Sequence, residues 1–84
     1  MSEVNKISIT VARVAFWTVG VRLWFVVQAT DGTRYQRWSL DMNSTDECLM
    51  LTQAGDVLNI GYVGEEFDAQ GILQKNIIHS AAFQ

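Results

Sequence analysis

With 84 residues, 49% of them hydrophobic and 18% charged, the chain has room for one domain and enough apolar content for one core. Those values exclude a two-domain enzyme and wholesale disorder. A net charge of −3 argues against a protein that coats nucleic acid by charge alone, because such affinity needs clustered Lys and Arg.

The charge is unevenly distributed. Residues 1–40 hold Lys6, Arg13, Arg22, Arg34 and Arg37 against Glu3 and Asp31, whereas residues 41–84 hold seven acids against Lys75. A basic patch is therefore possible on an acidic chain. The apolar run from Val11 to Trp17 is broken by Arg13 and falls far short of the roughly 20 residues of a membrane span. The opening Met-Ser-Glu-Val-Asn-Lys lacks the basic start and apolar centre of a signal peptide, so no membrane partner and a cytoplasmic location are expected. The single cysteine, Cys48, has no second thiol for a disulfide or a shared metal and reads as a small buried helix residue.

From Lys6 to Trp17 the residues are β-branched and apolar in alternation, with Ile7, Ile9 and Val11 on one face, which predicts a first strand. The phase then slips to Val14 and Phe16, leaving Arg13, Ala15 and Trp17 opposite; a bulge near Ala12 and Arg13 accounts for the slip and bends the strand. After a short connection at Thr18, Val19 and Gly20, strands over 21–30 and 33–40 flank Asp31-Gly32. A two-residue turn there pairs Gln28 with Tyr35, Val26 with Arg37 and Trp24 with Ser39, and sends Leu23, Phe25, Val27, Trp38 and Leu40 to the core. A three-residue turn with a bulge slips that register by one and exchanges Trp38 for its neighbours.

Ser44-Thr45-Asp46-Glu47 has capping-box spacing, with Ser44 as the cap and Glu47 reaching back, so a short helix runs from there to a stop at Gly55. Strands follow over 56–63 and 72–83, joined by the acidic loop Gly64 to Gly71. The fold class is all-β with one short α-helix. Five short strands with a helix between the third and fourth resemble, by element order alone, the oligonucleotide/oligosaccharide-binding (OB) fold, a five-stranded antiparallel barrel. The resemblance covers nearly the whole chain and rests on no sequence motif. It implies ligand binding across the second and third strands, flanked by the connection Trp17 to Gly20 and the loop Gly64 to Gly71.

No catalytic pattern is present. His79 stands in the last strand with no Cys or acid at metal-ligand spacing and reads as structural; there is no nucleophile elbow or phosphate-cradling glycine loop. Glu65, Glu66 and Asp68 read as solvated loop carboxylates in preference to a cation site. No enzyme activity, cofactor or metal is expected. The expected binding residues are Trp17, Arg22, Trp24, Arg34, Tyr35 and Arg37, because single-stranded DNA or RNA is held by bases stacking on aromatic rings while Arg meets the phosphates. The same face also suits a protein partner or a homodimer, an acidic regulator or nucleic-acid mimic among them, and an oligosaccharide stacked on Trp and hydrogen-bonded by Arg and Gln28 is a third ligand class.

Overall fold

A computed structural model describes residues 3–68 and 70–84. Its elements are β1 (Asn5–Val19), β2 (Arg22–Ala29), β3 (Arg34–Ser39), α1 (Ser44–Leu51), β4 (Val57–Phe67) and β5 (Leu73–Phe83). The strands close in the order β1-β2-β3-β5-β4 and back to β1. Four seams are antiparallel; the β3–β5 seam runs parallel, at Gln36 and Ile77. All-β architecture with one short helix between β3 and β4 is thus present as expected, in a form compatible with an OB-like fold. Among the described residues no helix is long and apolar enough to cross a membrane.

The bend in β1 makes closure possible. Asn5 to Thr10 pair with β4, Val11 to Val19 pair with β2, and the register jumps between Val11 and Arg13. The extra residue is Ala12, where the phase slip placed the bulge. One strand thereby serves two parts of the sheet, because a bulge sharpens twist and turns side chains to the other face. Inside lie Ile9, Val11, Phe25, Val27, Leu49, Leu58, Ile60 and Ile78, all buried.

The β2–β3 turn corrects the expected register. The Ala29 N–H donates to the Thr33 carbonyl, the Gly32 N–H donates to the Ala29 carbonyl at 3.0 Å, and Gly32 has φ +93°. This is the three-residue loop, in which a type I turn is followed by one residue in the left-handed region. It wins because only the glycine must take a positive φ, while the Asp31 carboxylate accepts the Thr33 N–H at 2.9 Å in a conformation that costs an Asp nothing. Pairing becomes Val27 with Tyr35, Phe25 with Arg37 and Trp24 with Trp38. Every β3 side chain therefore changes face.

The helix cap also moves by one. Asn43, not Ser44, is the N-cap: its side chain accepts from the Thr45 and Asp46 N–H groups, and Asp46 reaches back to the Asn43 N–H. Asp46 is needed at that place because it also faces Arg37 and Ser39. The helix ends at Leu51, with Thr52 donating from Oγ1 to the Cys48 carbonyl. Gly55 does take a positive φ, +94°, but in the following turn, where its N–H donates to the Val11 carbonyl. Cys48 is buried, as read, and burial pushes its thiol up.

The first half of the expected loop from Gly64 to Gly71 is strand, since β4 continues to Phe67. Only a tight turn remains, in which Asp68 accepts from the Gln70 and Ile72 N–H groups. The β4–β5 hairpin is kinked by Asn76, the one non-glycine residue with positive φ (55°) among those described. Its side-chain amide donates to the Arg34 carbonyl at 3.0 Å, which ties the kink to β3. Asn76→Ala is expected to lower stability by about 1 to 2 kcal/mol, the left-handed strain plus one hydrogen bond. Asn76→Gly should recover about half of that loss in a urea titration.

Candidate functional site

Outside the barrel, β1, β2 and β3 present one continuous face. Since Phe25, Val27 and Ala29 point inward, Arg22, Trp24, Val26 and Gln28 point outward. Cross-strand pairing then sets the rows. Trp17, Trp24 and Trp38 stand side by side on three neighbouring strands, so all three tryptophans of the chain form one row. The Trp24 and Trp38 rings lie 5.2 Å apart and are tilted by 44°. Their contact leaves no room for a flat group between them, so the pair acts as one surface. Trp17 stands at the open end of the row, 46% exposed.

The next row toward the β2–β3 turn is Ala15, Val26 and Gln36, and beyond it come Arg13, Gln28 and Arg34. With about 6.6 Å between successive same-face rows, the short Ala15 and Val26 side chains make a trough with a tryptophan wall and an arginine wall. A hollow of about 340 Å³ lies there, lined by Arg13, Ala15, Trp17, Gln28, Arg34 and Val26. A second, of about 520 Å³, shares Val26 and Arg34 and extends to Lys75 and Asn76. The trough thus crosses the strands from β1 to β5 with Arg13, Arg34 and Lys75 along it.

At the other side of the tryptophans, the tips of the β1–β2 and β4–β5 hairpins meet. A hollow of about 400 Å³ there is lined by Val19, Val21, Arg22, Trp24, Asp68 and Gln70. The Ile72 N–H, then Gln74 and the Gln70 N–H, hold the Asp68 carboxyl below its usual range, and Arg22 adds a smaller pull. This end of the face thus holds one cation, Arg22, and one carboxylate, Asp68.

Of the six residues expected to bind, Trp17, Arg22, Trp24 and Arg34 share this outer face. Tyr35 and Arg37 do not, which corrects their expected place in the platform. Tyr35 is 3% exposed and packs edge-on against Tyr62 at 5.1 Å; burial raises its phenol pKa. Arg37 points to the end of the barrel beneath the helix. Its Nε donates to Asp46 at 2.7 Å and its Nη1 to the Ile78 carbonyl at 2.9 Å. The one-residue slip at the turn moved both inside and brought Trp38 out. Trp38, Arg13 and Lys75 were not among the expected residues; the face shared by Arg13, Ala15 and Trp17 was the signal for Arg13.

Among the described residues no three His, Cys, Asp or Glu side chains lie close enough to hold a metal. His79 occupies the bulge where β5 gains a residue opposite Gly61 and Tyr62, and meets Glu66 at 3.0 Å. A further hollow of about 470 Å³, over Lys6, Ser8, Asn59, Gly61 and Ser80, is lined by no aromatic ring.

The fold and face together define a small closed β-barrel with an aromatic row and a basic trough on its outside. Compared with protein-family models, curated proteins and solved structures, the chain matches none.

Proposed function

We propose that this protein is a non-enzymatic, OB-like barrel that binds single-stranded DNA or RNA across the outer face of β1, β2 and β3. The observation that carries the reading is the tryptophan row lying parallel to a line of cations, Arg13, Arg34 and Lys75. Bases stack on aromatic faces without regard to sequence, while phosphates on the other side of the same strand meet cations. The trough fits that division of labour. A duplex hides its base faces, which a row of rings on the barrel surface cannot reach. The strand order and the helix between β3 and β4 are similar to the OB fold and agree with binding on this side. A cytoplasmic location goes with this reading.

The acidic balance of the chain shapes the expected behaviour. With three cations along the trough and about 0.7 counterions released per phosphate of a single strand, the slope of log K against log salt should be near −2. A fluorescence titration with mixed-sequence single-stranded DNA and RNA at several salt concentrations measures both terms. Saturable quenching of tryptophan with that modest slope supports the proposal. Absent quenching, or equal affinity for duplex, overturns it.

A further inference from the structure

The two halves of β1 differ in how their edges are used. Residues 5–10 pair with β4, but the pairing stops at Thr10, while β2 continues alongside to Val19. Gly20, at φ +61°, opens a two-residue turn, so the flanking Val19 and Arg22 exchange both hydrogen bonds. Counting back by twos, Trp17 and Ala15 also bond toward β2. The backbone N–H and C=O groups of Thr18, Phe16 and Val14 consequently point the other way, and no strand among the described residues receives them.

Sheets rarely leave such an edge bare. Natural edges are blunted by Lys, Pro or bulges, and Val14 to Val19 contains no charge and no proline. The segment is also unusually exposed for its composition. Phe16 faces the core side against Phe25 at 5.7 Å yet is 48% exposed, because the β1–β2 hairpin runs past the part of the barrel that β4 covers.

We propose that this edge pairs, antiparallel, with the same edge of a second copy of the chain about a two-fold axis at Phe16. The occupant is argued from self-complementarity. Centred there, Phe16 bonds to its own counterpart and Val14 to Thr18 of the second copy, which satisfies all the outward groups of both edges. Phe16 packs on Phe16 across the axis. On the outer face Trp17 falls opposite Ala15, large against small, and Arg13 falls opposite Val19, so no like charges meet. The result is a continuous six-stranded sheet, with isologous contacts as closed two-fold symmetry requires. It also places the two troughs on one surface. The inference does not depend on the nucleic-acid reading.

Light scattering across a wide concentration range tests it directly, with no nucleic acid present. The wild-type chain should have the mass of a dimer, and Phe16→Lys, which sets two ammonium groups against each other on the axis, should raise the dissociation constant about 100-fold. Its circular dichroism should remain that of the folded barrel. Phe16→Cys gives a second measurement, because Cα atoms of such a pair lie about 5.5 Å apart, within disulfide reach. Oxidation should link Phe16→Cys chains quantitatively and leave Val21→Cys, at the exposed hairpin tip, unlinked. A monomeric mass throughout, a folded Phe16→Lys that stays dimeric, or equal cross-linking of both cysteine variants would each overturn the proposal.

Discussion

Asp46→Ala should lower folding stability by about 3 to 5 kcal/mol, the usual consequence of removing one partner of a buried ion pair. For a domain of this size total stability is on the order of 4 to 12 kcal/mol, so the variant should sit near its unfolding threshold. Asp46 is 0% exposed, and its carboxylate accepts from Arg37 Nε at 2.7 Å, Ser39 Oγ at 2.6 Å and the Asn43 N–H at 3.0 Å. One side chain thereby joins β3, the helix cap and, through Arg37, the carbonyl of Ile78 on β5. Alanine leaves Arg37 Nε, Ser39 Oγ and the Asn43 N–H without their acceptor. Chemical denaturation measures the loss; an Arg37→Met/Asp46→Ala double variant should lose less than the two single losses added, since no uncompensated charge remains.

The same carboxylate predicts a pH dependence. Burial pushes its pKa up, but the hydrogen bonds from Arg37, Ser39 and Asn43, with the Arg37 charge, outweigh burial and bring it below the usual 3.8. A carboxyl depressed by folding contributes stability that is complete above its unfolded value and disappears as pH falls through the folded one. The melting temperature of the wild-type chain should therefore decline below pH of about 4. Asp46→Asn, already weaker at neutral pH, should show a flatter decline over that interval. Equal slopes in the two proteins would show that other carboxylates dominate acid unfolding.

Trp24→Ala should weaken single-strand binding by about 10- to 100-fold, the range set by roughly 1 to 3 kcal/mol per stacked base. Trp24 is the middle of the row and touches Trp38, so its removal breaks the platform in two and also costs packing. Trp17→Ala separates these effects. That ring stands at the exposed end of the row, and its loss should reduce affinity by about tenfold with little change in unfolding midpoint. Arg34→Ala should reduce the salt slope by about 0.7. Tyr35→Phe, inside the barrel, should leave both affinity and slope unchanged. If Tyr35→Phe weakened binding as much as Trp17→Ala did, the outer face would not be the ligand surface.

The parts of the fold legible along the chain were those set by local pattern. The slip from Ile7, Ile9 and Val11 to Val14 and Phe16 located the bulge at Ala12, because a period of two that changes phase has few other physical causes. Alternation in β2 placed Arg22 and Trp24 outside and Phe25 and Val27 inside. The short helix was legible from its capping chemistry, although Asn43 took the place expected of Ser44. Five strands around one small helix led to a closed barrel, since short strands otherwise leave edges.

Tertiary structure decided which face each residue of β3 occupies. Arg34-Tyr35-Gln36-Arg37-Trp38-Ser39 carries an aromatic and an arginine in both phases of the period, so alternation alone cannot choose between them. A single hydrogen bond from the Thr33 N–H to Asp31 and the confinement of positive φ to Gly32 selected the three-residue loop. Arg37 then had to turn inward, and it could do so only because Asp46, nine residues later on the helix, was there to meet it. The β4–β5 arm likewise depends on Asn76 reaching the Arg34 carbonyl, a contact between residues 42 positions apart. Composition and period determined which residues could be core or surface; register, which depends on partners distant along the chain, determined that all three tryptophans share one row.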